Sequence, residues 1–117
     1  MDRIFGLLGA LAALSAVALS AVAAHVPMDA AASTMLRDAV QMQGWHALAL
    51  LFLSQMLPST RLLGRLAGCA FVFGLAAFCG TIYLRVFAGL PLTFLAPYGG
   101  TAFMLGWAML ALALIRR

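Results

Sequence analysis

The sequence has 117 residues, of which 66% are apolar and 9% charged, with a formal net charge of +4. A soluble domain carries roughly a quarter charged residues to keep its surface hydrated, so this composition excludes a soluble globular domain. Nucleic-acid binding is excluded as well, because the arginines flank long apolar runs and form no patch interleaved with aromatic residues. We therefore expect one integral membrane domain over residues 1–117.

The first predicted helix covers residues 4–24, an apolar run without a charged residue. At 1.5 Å per residue this run spans about 31 Å, the thickness of a bilayer core. A cleaved signal peptide is the alternative, because Arg3 precedes the run and residues 21–23 have the small-x-small pattern of a cleavage site. The run is longer than the apolar part of a usual signal peptide, so we expect a retained transmembrane helix.

Residues 29–42 are the only stretch of mixed polarity. Pro27 ends the first helix, and Asp29 is a suitable N-cap for the next one. Apolar residues then recur with helical periodicity, which leaves Arg37 and Asp38 largely on the opposite face. This pattern predicts a short amphipathic helix that lies in the membrane interface.

Three further transmembrane helices are predicted, over residues 43–57, 66–84 and 98–115. The first of these has only about 15 residues, near the short limit for a span, so we expect it to continue directly from the interfacial helix. A loop containing Pro58, Ser59, Thr60, Arg61 and Arg65 separates it from the next helix.

Small residues recur four apart around the third transmembrane helix, a spacing that allows close helix packing in lipid. The pairs are Gly64 and Gly68, Ala70 and Gly74, and Ala76 and Gly80. The same helix holds Cys69 and Cys79, about 15 Å apart along the axis and too distant for a disulfide. We interpret both cysteines as packing residues.

The arginines predict that both termini lie in the cytoplasm, because positive charges concentrate on that side. With the N-terminus inside, five arginines are inside (Arg3, Arg61, Arg65, Arg116, Arg117) and two are outside (Arg37, Arg85). The alanine- and arginine-rich composition is typical of a GC-rich bacterial source. We therefore expect a multi-pass protein of the bacterial cytoplasmic membrane.

Four short motifs occur in order along the chain and resemble one family. They are Ala24-His25-Val26, residues 43–49 (QGWHALA), residues 78–83 (FCGTIY), and residues 97–100 (PYGG) followed by Gly106-Trp107. The sequence thus resembles the small inner-membrane proteins typified by YgdD and YwdK, a domain-of-unknown-function family with relatives in eukaryotes. The resemblance implies four transmembrane helices and no activity, because that family's function is not established.

The chain departs from this family's pattern at several positions. Ser20 and Ala23 replace glycines before the first histidine, residues 79–81 (CGT) replace a serine-glycine-serine, Ala96 replaces a threonine, and Arg85 stands where the family is apolar. Most of these changes keep small side chains, so the resemblance still implies the same fold, but a role for the replaced hydroxyls is put in doubt.

Under this topology the polar residues of the apolar runs converge at the outer-leaflet end of the bundle. The candidate ligand-binding residues are His25, Gln43, His46, Tyr83, Tyr98, Gly99 and Gly100. A packing role is the simpler interpretation, in which His46 bonds Tyr83 or a loop carbonyl. A small-molecule or lipid-headgroup site is the alternative, and haem held by His25 and His46 is a remote form of it.

Two hypotheses of function follow. The chain is either a non-enzymatic structural or accessory component that packs with itself or with other membrane proteins, or a binding or transport module for a small molecule, lipid or haem. No carboxylate, phosphate-binding loop or nucleophile–base pair lies within the apolar runs, so we predict no catalytic residues and no metal site. We expect partners only among lipids, further copies of the chain and other membrane proteins.

Overall fold

The long apolar runs form helices, the structure that satisfies every backbone polar group within one segment when no water is near. A computed structural model describes residues 2–116, with the backbone alone for residues 57–60. Arg117 and the side chains of the predicted loop residues Pro58, Ser59 and Thr60 lie outside the described residues. The helices are α1 (Asp2–His25), α2 (Ala30–Gly74), α3 (Thr81–Ala88) and α4 (Ala96–Ile115); a π-helical segment (Leu75–Gly80) joins α2 to α3, and a 3₁₀ turn (Thr93–Leu95) precedes α4.

Two local signals fix helix ends as their chemistry requires. The Asp29 side chain accepts a hydrogen bond from the backbone N–H of Ala32 at 2.7 Å, so the predicted N-cap is confirmed. Gly89 follows the last residue of α3 and ends that helix with a φ of 69°. Only glycine adopts this left-handed conformation without a steric cost from Cβ.

Helix α2 consists of two limbs that meet at Arg61, whose φ of 49° and ψ of −123° are not helical. We call residues 30–60 the first limb and residues 61–74 the second limb. His46 of the first limb contacts Phe71 of the second limb, so the chain folds back at Arg61. The helix has no break between residues 42 and 43, which agrees with the expectation that segment 43–57 continues directly from segment 29–42. The division of this limb into an interfacial part and a transmembrane part stays a prediction.

The first limb runs antiparallel to α1 along most of its length. A Cβ on Gly6 would meet the Ser54 hydroxyl at 3.4 Å, and a Cβ on Gly9 would meet the Ala47 carbonyl oxygen at 2.8 Å. Further along α1, the Gln43 side chain bonds the backbone of Ala12. Residue numbers therefore increase along α1 while those of the contacting residues decrease along the first limb, as antiparallel packing requires.

The second limb of α2 packs against α4 at glycines that leave room for aromatic rings. Gly74 faces the ring of Phe103 on α4, and Gly106 of α4 faces the ring of Phe71, where an added Cβ would stand 2.6 Å from a ring carbon. Among the small residues predicted around the third helix, Gly68 and Gly74 therefore pack against phenyl rings, whereas a Cβ on Gly80 would make only an ordinary contact, 3.8 Å from the Leu75 carbonyl oxygen.

Within the described part of the chain, three helical stretches are long and apolar enough to cross a membrane: Asp2–His25, Arg61–Ala88 and Thr93–Ile115. Their outer faces carry large apolar side chains that lipid would cover, such as Leu14, which is 68% exposed, and Val17, which is 71% exposed. The predicted all-helical fold is thus confirmed, with three candidate membrane spans.

Candidate functional site

His46 is the most enclosed polar residue of the bundle, with 1% of its surface exposed. Its Nδ1–H donates to the Met42 carbonyl one turn earlier, at 2.6 Å. This bond leaves Nε2 as an acceptor, and the indole N–H of Trp107 donates to it at 2.9 Å. Both ring nitrogens are therefore occupied, and the second bond joins α2 to α4.

Aromatic rings enclose the imidazole on its other sides. The ring of Phe103 stacks on it, with centroids 3.6 Å apart and planes at 17°, and Phe71 meets it edge-on at 5.3 Å. The glycines opposite these two phenylalanines make room for their rings, so the buried histidine is surrounded by aromatic side chains. We call His46, Phe71, Phe103 and Trp107 the histidine clamp.

Gln43 forms a second polar group that faces α1. Its amide nitrogen donates to the Ala12 carbonyl at 2.7 Å and to the Ser15 hydroxyl at 2.6 Å. Its amide oxygen accepts a hydrogen bond from the Tyr83 hydroxyl at 2.6 Å. One side chain therefore ties the first limb of α2 to both α1 and α3. We call Gln43, Ser15 and Tyr83 the glutamine clamp.

Several members of the two clamps lie near the middle of their helices. Ala12 and Ser15 stand at the middle of α1, and His46 stands at the middle of the first limb, whereas Tyr83 lies nearer the end of the stretch Arg61–Ala88. The predicted location of these polar residues at the outer-leaflet end of the bundle stays a prediction.

The structure divides the predicted site residues into two groups. Gln43 bonds Tyr83, but His46 bonds Trp107 and not Tyr83. His25 is exposed at the end of α1, and Tyr98 is 64% exposed at the start of α4.

The two predicted glycines of α4 differ in how closely they approach a neighbour. A Cβ on Gly99 would collide with the backbone of Phe78, so this glycine permits close contact between helices. A Cβ on Gly100 would have its nearest neighbour 3.9 Å away, at a carbon of the Phe78 ring. Neither glycine is part of a clamp.

Two buried polar side chains near the junction of the π-helical segment and α3 bond backbone carbonyls. The buried thiol of Cys79 donates to the Ala39 carbonyl at 3.3 Å, and the Thr81 hydroxyl donates to the Ala77 carbonyl at 2.7 Å. The Thr81 bond runs to the carbonyl four residues earlier, a common arrangement for a helical threonine, and the Cys79 bond reaches the first limb of α2. Cys69 is exposed and, like Cys79, is a free thiol.

The chemistry available to these residues is limited by their partners. In the described part of the chain, no buried side-chain nitrogen or oxygen lacks a hydrogen-bond partner. Across residues 2–116 no group of three or more His, Cys, Asp or Glu residues could hold a metal ion. An axial haem bond to His46 would need the Nε2 lone pair that already accepts from Trp107.

Sequence reasoning missed four members of the clamps: Ser15, Phe71, Phe103 and Trp107. Of these, Trp107 carries a signal in the sequence, an indole N–H in the middle of an apolar helix that needs an acceptor. Ser15 resembles any small residue of α1, and Phe71 and Phe103 resemble any core residue, so none of the three stands out before the helices are packed.

Comparison with known proteins identifies relatives over nearly the whole chain. The family described as "Protein of unknown function (DUF423)" matches residues 19–100. A UPF0382 membrane protein of Staphylococcus aureus (strain bovine RF122 / ET3-1) is 32% identical over 115 residues, which cover 95% of this chain and 94% of the relative. A UPF0382 membrane protein of Haemophilus influenzae is 31% identical over 106 residues, with 87% of this chain and 86% of the relative covered. No solved structure matches the chain.

Proposed function

Because the chain belongs to the DUF423 family, whose relatives are membrane proteins of unknown function, we propose that it is a non-enzymatic accessory protein of the bacterial cytoplasmic membrane. In this role it packs with further copies of itself or with another membrane-embedded protein. The proposal includes no catalytic residue and no cofactor. We also propose that the relationship extends to the YgdD and YwdK type, on the four motifs that they share in order.

The observation that carries this proposal is that both ring nitrogens of His46 are hydrogen-bonded within the chain. A catalytic or ligating histidine needs one ring nitrogen for the substrate or metal, whereas His46 uses Nδ1 for Met42 and Nε2 for Trp107. Gln43 likewise donates both amide protons within the chain, to the Ala12 carbonyl and the Ser15 hydroxyl. The buried polar residues thus serve to hold helices together.

We propose four membrane spans, the additional one being the first limb of α2. Support comes from the antiparallel pairing of this limb with α1 from Gly6 and Ser54 to Ala12 and Gln43. A limb that follows a spanning helix along its length crosses the same thickness of lipid. Under this proposal only the first turns after Asp29 reach the interface, in place of a separate interfacial helix over residues 29–42.

The orientation that suits this topology has both termini in the cytoplasm. Arg3, Arg61 and Arg65 then lie on one side with the C-terminal arginines, and the short connections over residues 26–29 and 89–92 lie on the other. These connections leave little surface outside the lipid. Partners would therefore have to be lipids or proteins within the membrane.

Photo-crosslinking from the outer faces tests the accessory role. The chain has no lysine, so amine-directed reagents are unsuitable and a photoreactive amino acid is placed at single positions. Suitable positions are Leu48, 64% exposed on the first limb, and Met104, 68% exposed on α4; Leu50, which is fully buried, is the matched control.

We expect irradiation of intact membranes to give protein adducts of defined mass from at least one outer face and none from position 50. Purification in a mild detergent should then recover the same complex. If every outer position yields only lipid adducts and the purified protein is monomeric without a co-purifying protein, the accessory role is wrong.

A further inference from the structure

A cleft of about 390 Å³ opens on the side of the bundle between α1 and the stretch Arg61–Ala88. Leu8 and Leu11 of α1 form one wall, and Leu75 and Ala76 of the π-helical segment form the other. Gln43 and Tyr83 of the glutamine clamp line its floor. The cleft is therefore an apolar slot with a polar base.

The π-helical segment borders the open side of the bundle. Its turn is wider than that of an α-helix and interrupts the regular surface of the stretch Arg61–Ala88. Gly80 also borders the cleft, and a Cβ there would find its nearest neighbour 3.8 Å away, at the Leu75 carbonyl oxygen. Helix α1 contacts the second limb where the Phe5 ring covers Gly68, and the cleft opens further along α1, at Leu8 and Leu11.

A count of hydrogen-bonding capacity shows what the floor offers to a ligand. The amide nitrogen of Gln43 has two protons, and Ala12 and Ser15 accept both. The Gln43 oxygen has two lone pairs, of which the Tyr83 hydroxyl uses one, and the Tyr83 oxygen donates in that bond but can still accept. The floor thus offers acceptors and no free donor, so it suits a ligand that donates a hydrogen bond.

The depth of the floor restricts the ligand further. Gln43 lies opposite Ala12 and Ser15, at the middle of α1, where an ionic headgroup would lose its hydration at great cost. A neutral molecule that dissolves in the bilayer reaches this depth without that cost. We propose that the cleft binds a neutral, long-chain amphiphile through its hydroxyl group, which donates to the Gln43 amide oxygen or to the Tyr83 hydroxyl.

This site is distinct from the accessory role and does not depend on it. The test uses two photoreactive probes in phosphatidylcholine vesicles that contain the full chain: a diazirine-bearing sixteen-carbon alcohol and its methyl ether, which has the same chain but no donor. Labelled peptides are mapped by mass spectrometry. Loss of one hydrogen bond corresponds to about a fivefold change in occupancy, so the alcohol should label cleft residues about five times more than the ether.

Two variants locate the binding within the cleft. Ala76→Leu fills its mouth and leaves the glutamine clamp intact, so labelling by the alcohol should fall to the level of the ether; Ala111→Leu, on an exposed position of α4 outside the cleft, is the matched control and should change nothing.

Equal labelling by alcohol and ether in the unmodified chain would overturn the proposal, whatever the variants do. Alcohol labelling that Ala76→Leu leaves unchanged would overturn it too, because it would reflect only general contact with the lipid-facing surface. Neither result bears on the crosslinks that test the accessory role, so the two proposals fail independently.

Discussion

Gln43 and His46 stand three residues apart on α2, yet each fastens the helix to different neighbours. Gln43 bonds Ser15 on α1 and Tyr83 on α3, and His46 bonds Trp107 on α4. Lipid tails are as apolar as the side chains, so the hydrophobic effect does not drive helices together in a membrane. Hydrogen bonds of this kind therefore contribute to association and fix the register of the helices. The two residues together therefore determine how four helical elements are arranged.

Removal of the indole N–H tests the histidine clamp. Trp107→Phe keeps an aromatic ring but leaves Nε2 of His46 without its donor, so we expect the free energy of unfolding to fall by about 1–2 kcal/mol. Trp45→Phe is the matched control, because Trp45 is 55% exposed and outside the clamp. Equilibrium unfolding in mixed micelles, followed by circular dichroism, measures both. Equal stability of the two variants would contradict the clamp.

The residues that carry polarity could be predicted, but not their partners. Gln43, His46 and Tyr83 stand out because each is a polar side chain in an apolar run. Helical spacing indicates that Gln43 and His46 share a face, but it does not indicate which helix meets each of them. That His46 meets Trp107 depends on the room that Gly74 and Gly106 leave for aromatic rings, which only the packed helices define.

At the scale of helices, contact between α1 and α2 depends on Gly9. A Cβ at this position would stand 2.8 Å from the carbonyl oxygen of Ala47, and backbone atoms of a helix cannot move aside as a flexible side chain does. Gly44, by contrast, has no atom within 4 Å of the position its Cβ would take. The two glycines therefore provide a matched pair.

Gly9→Ala should separate α1 from the first limb and lower the free energy of unfolding by about 1–3 kcal/mol. Gly44→Ala should leave stability unchanged or raise it by up to about 1 kcal/mol, because alanine favours the helix. Thermal unfolding of both variants in the same detergent measures the difference. A loss of stability in Gly44→Ala that equals the loss in Gly9→Ala would show that α1 does not make this close contact.

Sequence predicts these elements well where an apolar run has clear ends. Asp29 caps α2, as predicted from its side chain. The non-helical Arg61 falls within the loop predicted between the helices over residues 43–57 and 66–84. The division at residue 43 has no such signal: it rests on a change from mixed to apolar composition, with no break in the helix. A mixed pattern arises equally at the interface and at the polar core of a bundle, so composition alone did not separate the two.

For the whole molecule, the pairing of α1 with the first limb of α2 has a simple consequence. If the limb crosses the membrane, both clamps and the floor of the cleft lie deep in the bilayer. The polar residues then join helices within a shell of lipid-facing apolar side chains such as Leu14 and Met104. Function would depend on contacts made through that shell and, as we propose, on a hydroxyl-bearing amphiphile that enters from the side.

The depth of Trp45 tests this arrangement most directly, because this residue stands at the middle of the first limb and is 55% exposed toward the lipid. In Trp107→Phe it is the only tryptophan left, so its fluorescence can be measured in vesicles whose lipids carry bromine at different depths of the acyl chain. A spanning limb predicts the strongest quenching by bromines near the chain ends. Strongest quenching by bromines next to the headgroups would instead place this part of α2 at the interface and contradict the account.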